Sequence, residues 1–305
     1  MNSLIAVVGP TAIGKSQLAL RLSQEMDGEI VNADSRQIYR HMDIGTAKPA
    51  PEERTLIPHH LIDIVNPDED FSLAQYQQLA YQTIAGIQQR HKLPLLVGGS
   101  GLYVWAVLEG WQIPQVPPDL ALRRSLAEKA AREGVAELYQ ELVRVDPAAA
   151  QRIDPRNTRR VIRALEVCQS TGALFSQLQQ KKAPPFNTRI VGLTAAREEL
   201  YRRIDTRVDL MITGGLVEEV RKLLGMGFDI NLPSMSGVGY RQIGAFLSGE
   251  ITLDAAIQQI KFETHRIARH QYAWFRPTDE RIKWFDIEED VEAEVKAQVT
   301  GFLKN

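Results

Sequence analysis

Cysteine is almost absent from this chain of 305 residues, which contains a single one, Cys168. One thiol cannot form an internal disulfide, and it excludes zinc modules held by several cysteines. An excess of charge of either sign is also missing, because 36 Lys and Arg against 38 Asp and Glu give a formal net charge of -2. Any binding of nucleic acid would therefore have to come from local basic surfaces.

Long hydrophobic runs are lacking as well. No stretch approaches the roughly 18 apolar residues of a membrane-spanning helix, and the N-terminal residues enter an apolar strand without the charged and apolar regions of a signal peptide. With 44% hydrophobic and 24% charged residues, the composition is that of a soluble globular protein with a sizeable core. We therefore expect a cytoplasmic protein that does not bind membranes, and a monomer is the default expectation, since no protein partner can be inferred from the sequence.

Apolar strands alternate with amphipathic helices along much of the chain. The predicted strands are 4–8, 29–34, 93–99, 189–195 and 282–285, and the main predicted helices are 71–91, capped by Ser72, and about 253–275. This alternation predicts an α/β fold in which a parallel sheet carries helices on both faces.

Two proline-rich breaks, Ile113–Asp119 and Ala183–Phe186, bracket a segment in which only helices are predicted. Such a segment is typical of an insertion into a larger domain. We therefore predict that residues 1–114 and 188–305 form the α/β core and that residues 115–187 form an all-helical insertion domain.

The motif GPTAIGKS follows the first apolar strand and precedes an amphipathic helix. It fits the phosphate-loop pattern, in which glycines let backbone N–H groups approach an anion at the positive end of a helix. Lys15 would add a positive charge, and the Ser16 hydroxyl would be a ligand for Mg²⁺. The pattern predicts a P-loop NTPase-like fold and a bound phosphate compound, without saying which compound. The predicted phosphate-binding residues are Gly9, Pro10, Thr11, Ala12, Ile13, Gly14, Lys15 and Ser16.

The strand ending at Val97 lacks the aspartate that usually holds the metal shell in kinases and nucleotide hydrolases with this loop. GGSGLY follows it instead, with one hydroxyl, Ser100. The glycines of this turn predict a close approach of the backbone to substrate. The alternative is a plain turn between a strand and a helix. An acid, Asp34, ends a neighbouring strand. Ligands lie beyond the carboxyl ends of parallel strands, so Asp34 could be a general base there, unless it only caps a helix.

Seven segments, in order over nearly the whole chain, resemble the tRNA dimethylallyltransferase family. They are GPTAIGKS, NADSRQIYRHMDIGTAKP, PHHLIDI, LLVGGSGLY, DPRNTRRVIRALEV, LPSMSGVGYRQI and THRIARHQYAWFR. The resemblance implies transfer of a dimethylallyl group from dimethylallyl diphosphate to N6 of the adenine 3′ to the tRNA anticodon. Pyrophosphate would leave, with Mg²⁺ as cofactor.

The same resemblance implies catalytic roles for Asp34, Ser100 and Lys15. Asp34 matches the aspartate that holds the adenine amine and acts as general base, and Ser100 stands where the family commonly has threonine. Lys15 would stabilise the leaving pyrophosphate. Two positions depart from the pattern, because Gly237 replaces a cysteine and His270 replaces a cation.

Local basic and aromatic groups are the candidates for contacts with tRNA. Arg159 and Arg163 lie four residues apart and share one face of a predicted helix. This face could contact RNA, and the alternative is an ordinary solvated helix face. SGVGYRQ is suited to stacking and hydrogen bonding with a base, a structural turn being the alternative. The full predicted set is Asp34, Ser35, Arg36, Gln37, Ser100, Arg123, Arg159, Arg160, Val161, Ile162, Arg163, Gly239, Tyr240, Arg241 and Gln242.

Three other functions fit parts of the sequence. An adenylate isopentenyltransferase would share the loop and Asp34 but act on free AMP or ADP, which needs no second basic surface. A small-molecule kinase or an RNA-binding ATPase would use the loop for ATP. A kinase would also need an acid after Val97, which this sequence lacks.

Overall fold

The computed structural model describes residues 2–114, 116, 118–178, 180–287 and 291–304. The chain divides into two compact units, of which one comprises Met1–Leu108 with Pro185–Asn305 and the other Glu109–Pro184. The predicted boundary between residues 114 and 115 falls partly on Gln115, which lies outside the described residues. The assignment of tRNA binding to the inserted segment stays a prediction.

The first unit contains one parallel sheet with the strand order β3-β2-β4-β1-β5-β6. The strands are β1 Ser3–Val8, β2 Gly28–Asn32, β3 His59–His60, β4 Leu93–Val97, β5 Asn187–Thr194 and β6 Ile282–Asp286. The predicted parallel sheet is confirmed. The edge strand β3 was not predicted, because two residues are too few for a periodic pattern.

Fourteen helices complete the described part of the chain. They are α1 Lys15–Glu25, α2 Pro51–Leu56, α3 Leu73–Gln89, α4 Gly101–Leu108, α5 Leu120–Glu133, α6 Val135–Val145, α7 Pro147–Ala150, α8 Thr158–Thr171, α9 Phe175–Leu178, α10 Arg197–Thr213, α11 Leu216–Gly225, α12 Tyr240–Leu247, α13 Leu253–Trp274 and α14 Val291–Leu303. Of the helices that the structure describes, none is long and apolar enough to cross a membrane.

Both faces of the sheet are covered. Side chains alternate along a strand, and Ile5 and Val7 of β1 join a core cluster with Leu18 and Leu22 of α1. The alternate residues of β1 are also fully buried, so the opposite face is covered too. On α3, the predicted cap is present, since the Ser72 hydroxyl accepts a hydrogen bond from the Gln75 amide at 3.2 Å.

The second unit is helical, and α5–α9 surround a core of their own. Its described residues contain no strand beyond one antiparallel bridge between Trp111 and Lys181. The fully buried carboxylate of Glu166 lies within this unit and is bound by two arginines.

Candidate active site

The phosphate loop connects β1 to α1 in the geometry that its glycines allow. Gly9 has a φ of +139°, and an added Cβ there would stand 2.6 Å from the Leu193 carbonyl oxygen. No larger residue fits this conformation without displacing β5. The helix begins at Lys15, and the residue before it, Gly14, has no side chain to cap the first amides. The N-terminal amides of α1 therefore remain available for an anion.

Lys15 lies in an electropositive environment. Its Nζ donates a hydrogen bond to the Pro10 carbonyl oxygen at 2.6 Å. Burial, and next the positive charge of Arg207, lower the pKa of Lys15 from its ordinary value of 10.5 to about 7, although Asp34 acts in the opposite direction. A cation that is destabilised in the free protein gains most from an incoming anion. The site is therefore suited to a polyanionic ligand.

Asp34 follows β2 and is held by a local turn. The Asn32 side chain accepts a hydrogen bond from the Asp34 amide at 3.0 Å and donates to the Asp34 carbonyl oxygen at 3.1 Å. One carboxylate oxygen, Oδ1, accepts a bond from the Arg36 amide at 2.8 Å. Among the described residues, none donates to the other oxygen. The carboxylate is thus oriented through one oxygen and keeps the second for a ligand.

Ser100 ties the glycine-rich turn to the segment after Asp34. Its hydroxyl accepts a hydrogen bond from the Ser35 amide at 3.0 Å and lies 3.2 Å from the Ser35 hydroxyl. The turn also approaches protein groups closely, since an added Cβ at Gly99 would stand 2.3 Å from the side-chain amide nitrogen of Gln271. Ser100 therefore has a positioning contact besides its predicted catalytic role.

Two residues that were not predicted for the site, Arg207 and Gln271, join it from distant segments. The Gln271 side chain accepts a hydrogen bond from the Thr11 amide at 2.8 Å and donates to the Gly99 carbonyl oxygen at 3.0 Å. Arg207 donates to the Thr11 hydroxyl at 3.3 Å. Burial lowers the pKa of Arg207, and Asp34 partly offsets this. The sequence carried no local signal for Arg207, because the burial of its neighbour Val208 on α10 is seen only in the structure.

Two cavities meet at these residues. The first, of about 540 Å³, has an apolar wall that includes Ile204, Val208, Met211 and Trp274. The second, of about 440 Å³, contains the phosphate loop with Lys15 and Ser16. The residues that line both cavities are Thr11, Asp34, Gly99, Arg207 and Gln271. A charged group in one cavity and an organic group in the other would meet beside the Asp34 carboxylate.

Some residues of the first unit that were predicted to contact RNA form hydrogen bonds with other groups of the protein. Arg36 donates to the carbonyl oxygens of Pro233 and Ser234 at 2.9 and 3.1 Å, and the Gln37 amide donates to those of Thr46 and Ala47 at 3.1 and 3.0 Å. A second group lies on or beside α12. Gly239, Tyr240 and Gln242 are buried, and Arg241 is exposed.

The predicted contacts in the inserted unit also divide by burial. Arg123 and Arg163 hydrogen-bond the carboxylate of Glu166 at 2.6 to 2.9 Å. Burial alone would raise the pKa of Glu166, but these arginines hold it below its ordinary value. Val161 is fully buried, so its side chain belongs to the core of this unit, and Ile162 is partly buried. Arg159 and Arg160 are exposed.

A metal site made by the protein alone is not found among the described residues, where no three His, Cys, Asp or Glu side chains come together. The second cavity nevertheless offers oxygen atoms, namely the exposed Ser16 hydroxyl and the Asp34 carboxylate. Oxygen is the ligand that Mg²⁺ prefers, and substrate phosphates commonly complete its coordination.

Comparisons with known proteins agree with this geometry. The family model described as IPP transferase matches residues 37–278, and that described as Isopentenyl transferase matches residues 2–63. A tRNA dimethylallyltransferase of Dehalococcoides mccartyi is 53% identical over 300 residues, which cover 98% of this chain and 92% of the relative. One from Roseiflexus sp. strain RS-1 is 55% identical over 276 residues, 90% of each chain.

Solved structures give the same result. The crystal structure of a tRNA isopentenylpyrophosphate transferase from Bacillus halodurans has a TM-score of 0.74 at 40% identity and covers 100% of this chain and 97% of that one. A eukaryotic dimethylallyltransferase acting on tRNA has a TM-score of 0.83 at 26% identity, covering 100% of this chain and 80% of that one. The resemblance first seen in the seven motifs is confirmed, and the chain belongs to the tRNA dimethylallyltransferase family.

Proposed function

We propose that this protein transfers a dimethylallyl group from dimethylallyl diphosphate to N6 of the adenine 3′ to the anticodon of tRNA, releasing pyrophosphate. The observation that carries this proposal is the meeting of the two cavities at Asp34, one cationic and the other largely apolar. A phosphate loop that serves a leaving group needs no machinery for a γ-phosphate. This agrees with the absence of an acid directly after Val97.

The donor would bind with its diphosphate at the phosphate loop. The amides at the start of α1, Lys15 and Arg207 would stabilise the charge that develops on the pyrophosphate as the bond between C1 and oxygen breaks. Ser16 would hold Mg²⁺ together with the diphosphate oxygens. When bound, Mg²⁺ supplies further stabilisation of the leaving group.

The acceptor amine would lie beside Asp34. The carboxylate oxygen without a partner in the described chain would accept a hydrogen bond from the N6 amine and take its proton as the bond between N6 and C1 forms. The electron pair of the broken bond leaves with pyrophosphate. Ser100 would keep the segment after Asp34 in place through Ser35.

The apolar wall of the first cavity gives the five-carbon group its environment. Ile204 and Val208 are buried on α10, and Met211 is partly buried beside them. Such a lining would shield the reacting carbon from water, which competes with the amine for it. The cavity has room beyond the dimethylallyl group for a base that is turned out of its stack.

Contacts with tRNA outside the reacting base are proposed for exposed basic residues of the inserted unit. Arg159 and Arg160 lie in the first turn of α8 and are exposed. They are free of ion pairs among the described residues, in contrast to Arg123 and Arg163. Exposed arginines of this kind bind phosphates of RNA, and an adenine in an anticodon loop is accessible to splaying. The inserted unit would thus contribute affinity for the macromolecular substrate.

Transfer of radiolabelled dimethylallyl to unmodified tRNA, followed by nuclease digestion and identification of the labelled nucleoside, tests the proposal. Asp34→Asn should lower kcat by about 100-fold or more while changing the affinity for dimethylallyl diphosphate by less than about threefold. Asp68→Asn is the matched control, because Asp68 is an exposed loop residue. Normal turnover by Asp34→Asn would remove Asp34 from the mechanism, and label on a nucleoside other than adenosine would contradict the reaction itself.

A further inference from the structure

Glu219 of α11 is outside the cavity linings, and its carboxylate accepts four hydrogen bonds. Oε2 accepts from the amides of Asp43 and Ile44 at 2.9 and 2.7 Å. Oε1 accepts from the Gly45 amide at 3.1 Å and from the Tyr240 hydroxyl at 2.7 Å. Three successive amides that converge on an anion form a binding concavity, and here the anion is a side chain of the same protein.

The groups that Glu219 holds belong to the wall of the first cavity. Gly45 and Tyr240 both line it. They are in direct contact, because an added Cβ at Gly45 would stand 2.6 Å from the Tyr240 ring. The carboxylate therefore fixes the distance between the loop at residues 43–45 and the aromatic ring of α12.

The remainder of this loop is held by other groups. Lys48 donates to the Tyr39 carbonyl oxygen at 2.6 Å and to the carboxylates of Asp43 and Asp63 at 2.8 and 2.5 Å. Gln37 holds the next carbonyl oxygens of the loop. These contacts keep Ala47 and Lys48 in the wall of the second cavity, where the donor diphosphate would bind. Loss of Glu219 should therefore release the acceptor side and leave the donor side in place.

We propose that Glu219 is a positioning residue for the acceptor base, acting through Gly45 and Tyr240 without touching the substrate. This inference rests on the proposed transfer to adenine and deepens it, since it assigns the fit of the base to a side chain outside the cavity. The position requires a carboxylate. A glutamine would direct its NH₂ group toward two of the amide or hydroxyl donors and could accept hydrogen bonds only at its other terminal atom.

Steady-state transfer kinetics and amide hydrogen exchange of Glu219→Ala and Glu219→Gln test this role. Glu218→Gln is the matched control, because Glu218 is the adjacent residue and its exposed carboxylate pairs only with Arg221, at 3.5 Å, among the described residues. Exchange at residues 43–45 should accelerate about tenfold or more in Glu219→Ala, and less in Glu219→Gln, which keeps one acceptor. The control should leave exchange at these residues as it is in the unsubstituted protein.

The kinetic readout separates the acceptor from the donor. KM for tRNA should rise about tenfold in Glu219→Ala, with affinity for dimethylallyl diphosphate within about twofold of the original. Accelerated exchange with an unchanged KM for tRNA would overturn the positioning role, and so would equal losses for both substrates. A complete lack of transfer to tRNA by the unsubstituted protein would instead overturn the proposed function, and the acceptor role with it.

Discussion

Replacement of Lys15 by methionine should stabilise the ligand-free protein while it impairs diphosphate binding. The environment brings the pKa of Lys15 from 10.5 to about 7, which at about 1.36 kcal/mol for each pH unit is at most about 5 kcal/mol against the charged form. The hydrogen bond to Pro10 and the partial exposure of the side chain reduce this penalty. We therefore expect a gain of about 1–2 kcal/mol near pH 6, or about 2–6 °C in Tm.

The pH dependence of this gain follows from the direction of the shift. Below about pH 7 Lys15 is charged in both the folded and the unfolded chain, so the unsubstituted protein carries the full penalty. Between about pH 7 and 10.5 the folded protein has lost this proton while the unfolded chain retains it, so the penalty fades as the pH rises. The advantage of Lys15→Met should therefore be largest near pH 6 and smaller near pH 9.

Urea unfolding of both proteins at these two pH values measures the effect. Lys92→Met is the control, because Lys92 forms a surface pair with Asp27 at 2.9 Å, which raises its pKa. Titration calorimetry with dimethylallyl diphosphate should show that Lys15→Met binds about 100-fold more weakly. A stability gain that is the same at both pH values, or a loss of stability, would refute the assignment of Lys15 as a destabilised cation.

Three further predictions concern other charged groups. Arg207→Gln should weaken dimethylallyl diphosphate binding by about tenfold or more in calorimetry, and an unchanged affinity would remove Arg207 from the donor site. Glu166→Gln should lower the free energy of unfolding, measured in urea, by about 2–3 kcal/mol. The control Glu137→Gln, at an exposed ion pair, should change it little. Similar values for the two variants would show that the buried carboxylate is not needed for stability. Arg160→Ala should reduce the salt slope of tRNA binding by about one, and an unaltered slope would return Arg160 to ordinary surface.

The central part of the site could be predicted because its residues follow strand ends. A parallel sheet brings the carboxyl ends of its strands to one edge, so the phosphate loop after β1, Asp34 after β2 and Ser100 after β4 could be placed together from local motifs. The structure brings them together, with Ser100 bound to the Ser35 amide. Their chemical roles remain predictions.

The residues that were missed contact the site across long separations. The hydrogen-bond partners of these residues are distant in sequence, at 196 residues from Arg207, 260 from Gln271 and 174 from Glu219. No local periodicity specifies such a contact, because it depends on how α10, α11 and α13 pack against the sheet. Arg207 in addition lies among other arginines of α10, where a cation is typical of a solvated helix face.

Burial of Glu166 explains why two arginines of the inserted unit that were predicted to contact RNA form ion pairs within the protein. The spacing of Arg163 and Glu166 is visible in the sequence as an i, i+3 pair. The sequence does not show that Glu166 is fully buried and also binds Arg123. A buried carboxylate needs cationic partners, so Arg123 and Arg163 have a role within the protein besides the contact with tRNA that stays predicted for them.

The most direct test of the proposed reaction offers the protein two acceptors at once. Labelled dimethylallyl diphosphate and Mg²⁺ would be incubated with unmodified tRNA and with AMP, and label in each acceptor would be measured. We expect transfer to tRNA alone, since relatives that match 90% or more of this chain are named tRNA dimethylallyltransferase. Transfer to AMP would move the protein to the adenylate class, and consumption of ATP without transfer to either acceptor would contradict the account of the phosphate loop.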